Sequence, residues 1–376
     1  MPRAHARPGG HGSPIQPTIR TGGADASMKI LVLGGGQQGR VIATDLAYKV
    51  SNSHVDVADL REPQLPARGN LRWLEADLAD VTELARRIRE YDLAVGALPS
   101  QLGFGAMQAA IEAKRPLVDV SFTAADPMEL DEDARHAGVA IIPDCGLAPG
   151  LTHLCVGHAA VDGPPDEVTI YVGGVSLDRT RPYGYVVTWS LDDLVEEYTR
   201  PARIRRGGQA TEVPVFSGLE RVTLEGAGEM EAFYSDGLRT LLDSLPEVPE
   251  MGEKTLRWPG HVEAVRPLLA EKRLRDEFRR RCVANPPRDL VVLAVRVRWG
   301  DKRREALLVD RYDPQTGMTA MSRTTALTTS VVTQLAARGG LPEKGVQPLE
   351  RVARDANAYR FVVDEMARRG VKITGA

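Results

Sequence analysis

The stretch Ile30–Ala43, ILVLGGGQQGRVIA, decides the fold. Its first four residues form an unbroken apolar run, the pattern of a parallel strand buried on both faces. Glycines follow at 34, 36 and 39 with the spacing G-x-G-x-x-G. In a nucleotide-binding turn each has its own task. Gly34 makes the tight turn, Gly36 lets a pyrophosphate approach the backbone, and Gly39 lets the next helix close on the strand. Ala43 and Leu46 continue at helical spacing from Gly39. The helix therefore opens at Gln37 and Gln38, with free N–H groups and a positive dipole end facing the phosphates. A second strand, His54 to Ala58, ends at Asp59, twenty residues beyond Gly39. An acid at that place accepts hydrogen bonds from the adenosine ribose. A ligand-free turn would need none of this order. Asp59 suits the 2′-OH of NAD and repels the 2′-phosphate of NADP, so the sequence favours NAD over NADP. Arg61, two residues later, is the cation that would reverse the preference by pairing with that phosphate.

At 376 residues the chain is long enough for two domains, and its 43% hydrophobic content supplies their cores. A net charge of −3 gives no global attraction to nucleic acid or to an anionic membrane surface. No apolar run approaches the ~20 residues needed to span a bilayer. The three cysteines, at 145, 155 and 282, are odd in number and form no C-x-x-C, which suits a reducing cytoplasm. Residues 1–27 are rich in Gly, Pro, Arg and Ser, with no periodic apolar pattern and no signal-peptide core. They read as a disordered extension or an upstream mis-start, with Met28 as a natural beginning.

Strand and helix signals alternate from 29 to about 160, which predicts a doubly wound parallel sheet over a Rossmann domain at 28–162. Ligands bind at the carboxyl ends of such strands. The loops after 33, 58, 98, 120 and 142 therefore form the candidate site, and they bring Leu98, Pro99 and Ser121 beside the cofactor. The pattern breaks at Asp162-Gly163-Pro164-Pro165. Strand-like runs then dominate: Val168 to Val172, Tyr185 to Trp189, Val222 to Glu225, Lys254 to Trp258, Leu290 to Trp299 and Glu305 to Tyr312. With short helices at Leu191 to Tyr198 and His261 to Leu269, residues 163–318 read as an α+β substrate and dimerisation domain with a mostly antiparallel sheet. Helices occupy 319–376 and are free to return to the first domain. No internal repeats are visible.

Several residues have the chemistry of a site. In IIPDCGLAPGLTHL, Ile141 to Leu154, Asp144 and Cys145 follow a strand end, and Pro149-Gly150 opens a helix. Cys145 is either a thiol nucleophile or a small residue packed under the cofactor, and the packing role fits better because no histidine has an argued place beside it. His153 and His158 face different sides of a helix, and no H-E-x-x-H or Cys/His cluster exists, so no metal site is expected. His153 is a packing histidine or a substrate contact. His261, in RWPGH, is a helix cap or a positioned side chain. Asp119 and Asp144 at strand ends either cap helices or orient an ammonium group. Tyr185, Trp189, Tyr198, Arg239 and Arg323 are candidate substrate contacts from the second domain.

These segments resemble the saccharopine dehydrogenase-like family, and within it the lysine 6-dehydrogenase branch most closely. The matching stretches are VLGGGQQGR, VGALPSQLG, DVSF, IIPDCGLAPGLTH, IYVGG, WSLDDLVEEYTRPARIRRGGQ, RWPGH, MSRTT and KGVQPLE, over about residues 28–350. The resemblance implies a Rossmann domain, an α+β domain that shapes the substrate site and makes a homodimer, and NAD-dependent oxidative deamination of the side-chain amine of L-lysine, whose aldehyde product cyclises. It points to Asp144 and His261 as catalytic. Ser121-Phe122 stands where the lysine enzymes have Gly-Gly, and His153 is more like the saccharopine reductase branch.

Hydride leaves a carbon bearing nitrogen only when the nitrogen lone pair is free, and a lysine ammonium has a pKa near ~10.4 in water. Asp144 or His261 is the expected base, and Arg239 or Arg323 the expected partner of the substrate α-carboxylate. A second reading is a saccharopine reductase-type enzyme that reduces an imine with NAD(P)H, supported by Arg61 and His153. A third, of another class, is a non-catalytic NAD-binding redox sensor.

Overall fold

The structure is a computed structural model that describes residues 27–341 and 343–375. The expectation for the N-terminal extension lies almost entirely outside the described residues. The first unit runs β1 (Met28–Leu33), α1 (Gln37–Lys49), β2 (Ser53–Asp59), β3 (Leu71–Glu75), α2 (Val81–Ile88), β4 (Leu93–Gly96), α3 (Ser100–Ala113), β5 (Leu117–Asp119), α4 (Asp131–Ala137), β6 (Ala140–Ile142) and α5 (Leu151–Ala159). Alternate residues of β1 serve opposite faces. Ile30 and Val32 pack with Ile42, Ala43 and Leu46 of α1, whereas Leu31 and Leu33 pack with Leu84 and Met107 beneath α2 and α3. This double burial is why the strand carries no polar residue after Lys29. Asp80 caps α2 by accepting the Glu83 N–H at 2.9 Å.

The second unit contains β7 (Glu167–Ser176), α6 (Leu191–Glu197), β8 (Ala202–Arg206), β9 (Gln209–Val213), β10 (Glu220–Leu224), β11 (Gly228–Tyr234), α7 (Leu241–Ser244), β12 (Glu250–Arg257), α8 (His261–Ala270), α9 (Leu274–Arg281), β13 (Asp289–Trp299) and β14 (Lys302–Arg311). Its main path is β10-β11-β12-β7-β13-β14, with β8 and β9 branching from β12. Every pairing is antiparallel except β12 with β7. The expected strand at Tyr185–Trp189 does not form. Pro182 and Gly184 break the chain before it, and the segment pairs with no strand, donating instead from the Val187 N–H to the Cys282 carbonyl at 2.9 Å. Its alternating aromatic and β-branched residues pack into a cluster with Phe278 and Phe233.

The chain then returns to the first sheet through α10 (Ala320–Ala337), β15 (Gly345–Val346), α11 (Leu349–Val352) and α12 (Ala356–Arg368). β15 pairs in parallel with β6 and completes a seven-stranded parallel sheet of order β15-β6-β5-β4-β1-β2-β3. The architecture is thus a Rossmann sheet plus a second α+β unit. Threonines make the burial of α10 possible. The hydroxyls of Thr324, Thr328 and Thr333 return to carbonyls four residues back at 2.6–2.8 Å, so their polar atoms are satisfied inside the helix. Thr329 reaches across to the Cys145 carbonyl at 2.7 Å and ties α10 to the loop after β6. No helix among the described residues is long and apolar enough to cross a membrane.

Candidate functional site

The strand order reverses between β1 and β4, and the crevice at their carboxyl ends opens toward the second sheet. A cavity of about 570 Å³ fills this crevice. Its first wall is the glycine turn. Gly34 has φ +98°, and a Cβ there would stand 2.5 Å from the Ala97 carbonyl oxygen. Gly36 faces open space, so a side chain would project into the crevice. No side chain among the described residues caps the N-terminus of α1, which leaves its first-turn N–H groups open to an anion. Gly39 does not reach the cavity. A Cβ on it would come 1.9 Å from the Gly34 carbonyl oxygen, so this glycine sets the approach of helix to turn.

Gln37, Gln38, Asp59, Leu98, Pro99 and Ser121 all line the same cavity. Ser121 is fixed by donating its hydroxyl to the Leu98 carbonyl at 3.1 Å. Asp59 is less free than its position suggests. Its Oδ2 accepts the Gly35 N–H at 2.6 Å and its Oδ1 accepts the Arg61 N–H at 2.9 Å. It braces the glycine turn and the end of β2, while the Arg61 side chain stands exposed beside it.

The expected catalytic and substrate residues divide. Asp144 lines the cavity, but both its oxygens are held by Arg239, at 3.0 Å from Nε and 3.3 Å from Nη2. Arg239 also donates to the Thr123 carbonyl at 2.7 Å and lies over the Phe122 ring. The pair is a buried clamp between the loop after β6 and the loop after β11, and this geometry corrects the assignment of Asp144 as a free base and of Arg239 as a free carboxylate partner. His261 is corrected too. It is buried outside the cavity, with Nδ1 2.7 Å from the Tyr183 carbonyl and Nε2 2.8 Å from the Tyr198 hydroxyl. Burial, aided by the nearby Arg257 charge, holds its pKa down to about 3, so the ring stays neutral.

Of the remaining substrate candidates, Trp189 lines the cavity, whereas His153, Asp119, Tyr185, Tyr198 and Arg323 do not. His153 is buried, with Nε2 3.0 Å from the Leu238 carbonyl and Nδ1 3.0 Å from the Thr152 hydroxyl, and burial lowers its pKa. It is a packing histidine. Asp119 is enclosed beneath Gly96, where a Cβ would fall 1.7 Å from its Oδ2, and burial raises its pKa to about 7. Tyr185 accepts the Trp189 indole N–H at 3.0 Å inside the aromatic cluster. Arg323 is spent on Asp310 at 2.8 Å. Cys145 is fully buried, and burial pushes its thiol far above the ordinary range, so it packs and does not attack. Among the described residues no group of three or more His, Cys, Asp or Glu is placed to hold a metal ion.

The facing wall is built largely from residues that pattern alone did not single out. Asp193 and Glu197 come from α6, Arg200 follows it, Asp236 follows β11, and Glu253 and Arg257 lie on β12. Arg257 donates to both oxygens of Glu197 at 3.2 Å and to the Tyr198 hydroxyl at 2.6 Å. Tyr198 accepts from Arg257 and so donates to His261, which fixes the histidine proton on Nδ1. His261 therefore acts on the wall through Tyr198 and Arg257. Asp236 pairs with Arg203 at 2.9 Å and Arg200 at 3.3 Å. Asp193 accepts the Ser100 hydroxyl at 2.9 Å and links the two units across the crevice.

Fold and cavity together define a two-unit protein of the dinucleotide-binding class, with the second sheet closing over the nucleotide crevice. Comparison with known proteins gives the family. A model described as the saccharopine dehydrogenase C-terminal domain matches residues 146–280 and 279–371, and one described as the saccharopine dehydrogenase NADP binding domain matches residues 30–142. The chain belongs to the saccharopine dehydrogenase family. It is 25% identical over 217 residues to a saccharopine dehydrogenase (NADP(+), L-glutamate-forming) of Pyricularia oryzae, covering 54% of this chain and 48% of that protein. To the protein of the same description from Saccharomyces cerevisiae it is 24% identical over 262 residues, 66% of this chain and 59% of that one. The chain thus spans about half the length of these curated relatives. The solved apo saccharopine dehydrogenase (L-Glu forming) of Saccharomyces cerevisiae shares the fold, with a TM-score of 0.72 at 16% identity over 93% of this chain and 99% of that one.

The preference for NAD is overturned by these matches, because the family domain is an NADP binding domain and the relatives are described as NADP(+) enzymes. The inference from Asp59 failed because its carboxylate is engaged by the backbone N–H groups of Gly35 and Arg61. The crevice itself fits a dinucleotide, through the uncapped N-terminus of α1 and the open space at Gly36.

Proposed function

We propose that this protein is an NADP(H)-dependent oxidoreductase acting at a carbon–nitrogen bond of an amino acid. The observation that carries the reading is the cavity itself, which joins the glycine turn to a wall of charged side chains from the second sheet. The turn and the first helical N–H groups would hold the pyrophosphate, and Arg61 would pair with the 2′-phosphate. The bound cofactor supplies hydride acceptance and donation. The chain supplies position, exclusion of water and control of the amine proton.

The facing wall suits a substrate that carries positive charge. Four acidic side chains, Asp193, Glu197, Asp236 and Glu253, face two guanidinium groups, Arg200 and Arg257, and the acids still outnumber the guanidinium groups while Glu253 holds its proton. A side-chain ammonium such as that of L-lysine meets net attraction there, which supports oxidation of the lysine side-chain amine. The second reading is a saccharopine-type secondary amine, supported by the names of the relatives. Its additional carboxylates would need Arg200 and Arg257 to turn from their present partners. The homodimer implied by the resemblance belongs to the same proposal, and light scattering of the purified protein decides it. The functional test is growth of reduced cofactor with NADP(+) and lysine, then saccharopine, at mildly alkaline pH. Binding of NADPH without turnover on any amine would refute the enzyme reading in favour of a sensor.

A further inference from the structure

We propose that Glu253 is the proton acceptor for the substrate nitrogen, and the proton donor when the reaction runs as imine reduction. This rests on the oxidoreductase reading above and adds the residue that handles the proton.

The assignment follows from what the other cavity carboxylates are already doing. Asp144 is clamped by Arg239, Glu197 by Arg257, and Asp236 by Arg203 and Arg200. Asp193 accepts from Ser100, and Asp59 from two backbone N–H groups at the nucleotide end. Glu253 is different. It lines the cavity, is only 4% exposed, and its Oε2 is buried with no hydrogen-bond partner among the described residues. A buried polar atom left without a partner is costly and calls for a reason.

The surroundings keep the carboxyl unpaired by construction. Glu253 sits in the middle of β12, flanked by Lys254, which points the other way and pairs with Glu220 at 2.6 Å. Gly237 packs directly on the carboxyl, where a Cβ would fall 1.6 Å from Oε1, so any side chain at 237 would displace it. The charged groups that act on it are carboxylates, Glu197 from α6 and Asp236 from the loop after β11, and the cations nearby are committed to those two. Burial first, then these two like charges, raise the Glu253 pKa to about 8. The group is therefore poised near neutrality, where a general acid–base works in both directions.

The step balances with the reactants already named. In oxidation an N–H bond of the substrate ammonium breaks and its proton bonds to a Glu253 carboxylate oxygen. The freed lone pair forms the C=N bond while the carbon loses hydride, with its electron pair, to the oxidised dinucleotide. In reduction the imine carbon takes hydride from the reduced dinucleotide, and the protonated Glu253 gives its proton to nitrogen.

The test uses the full chain and Glu253→Gln, with NADPH binding followed by fluorescence and turnover followed with lysine and saccharopine. NADPH affinity is expected to stay within about two-fold, while kcat/KM falls by roughly 10²–10⁴-fold. In the wild type, kcat/KM for oxidation is expected to rise with pH through about 8, and this limb is expected to disappear in the variant. A readout independent of turnover is the carboxylic C=O infrared band, expected to titrate near 8 in the wild type minus variant difference. Glu253→Asp, which keeps an acid, is expected to keep the pH limb with a smaller loss, and it serves should the glutamine variant fail to fold. Wild-type turnover with an unchanged rate and limb in Glu253→Gln overturns the role of Glu253 alone. Absence of wild-type turnover on every amine overturns the underlying function reading, and this proposal with it.

Discussion

The Asp144–Arg239 clamp gives the sharpest quantitative test. Both side chains are 4% exposed, the contact is two-pronged, and a third guanidinium nitrogen is committed to Thr123. Asp144→Asn removes the charge with almost no change of shape. The backbone at 144 has φ +52°, a conformation asparagine adopts readily, so no new strain enters. What remains is a buried guanidinium without its counter-charge, worth about 3–5 kcal/mol of destabilisation. The amide oxygen still accepts one bond, so about 3 kcal/mol is expected. With a urea m-value of about 3 kcal/mol/M for a large unit, the unfolding midpoint falls by roughly 1 M. Tryptophan fluorescence and circular dichroism in urea read this, and because the chain has two units the first transition is the one to compare. Arg239→Met should cost a similar amount. The double variant Asp144→Asn with Arg239→Met should be more stable than either single change, because it leaves no unpaired buried charge. A midpoint shift below about 0.2 M for Asp144→Asn would refute the clamp. A loss of turnover with an altered pH profile at unchanged stability would restore Asp144 as the base.

Three further outcomes are expected. Gly39→Ala drives a methyl into the Gly34 carbonyl, so NADPH affinity should fall more than about ten-fold with a stability loss of about 1–3 kcal/mol; normal binding by fluorescence titration would refute the packing role. Arg61→Ala should weaken NADPH by roughly ten- to a hundred-fold, the worth of one charge-assisted bond, and leave NADH almost unchanged; an equal effect on both would show that Arg61 does not meet the 2′-phosphate. His261, held down to about 3 from an ordinary value of 6.5, binds fewer protons folded than unfolded across that window. Its contribution to stability is therefore complete above about 6.5 and is lost as pH falls toward 3. Its imidazole resonance should stay flat above pH 5 or so, and a titration near 6.5 would contradict the buried neutral ring.

The nucleotide half was legible in the sequence because local chemistry dictates it. Gly34 needs a positive φ, and β1 needs apolar residues on both faces because helices cover both. The second sheet was legible as a class, yet Tyr185–Trp189 has the composition of a strand and is not one, since a Pro and a Gly precede it and its side chains pack into the aromatic cluster around Phe278. β11 is hard to read because GEMEAFY opens on a glycine and carries two glutamates, and β15 because two residues carry no pattern. The site divided along the same line. Residues of the turn and strand ends could be placed from order alone. Asp144 and His261 read as catalytic and Arg239 as a substrate contact, but whether a side chain faces a cavity or a partner depends on contacts 63 to 95 residues away in sequence. Glu253 went unmarked in EMGEKTLR, where an alternating charged strand looks like a solvent face. Its signal was an acid inside a strand that both sheet neighbours bury.

The measurement that bears most directly on function is absorbance at the reduced-nicotinamide band with the purified full chain. NADP(+) and NAD would each be offered with lysine, ornithine and saccharopine at mildly alkaline pH. Reduced cofactor accumulating with NADP(+) and one of these amines is the predicted result, with lysine favoured by the carboxylate-rich wall. Tight NADPH binding with no turnover on any of them would contradict it and leave the crevice as a binding site alone.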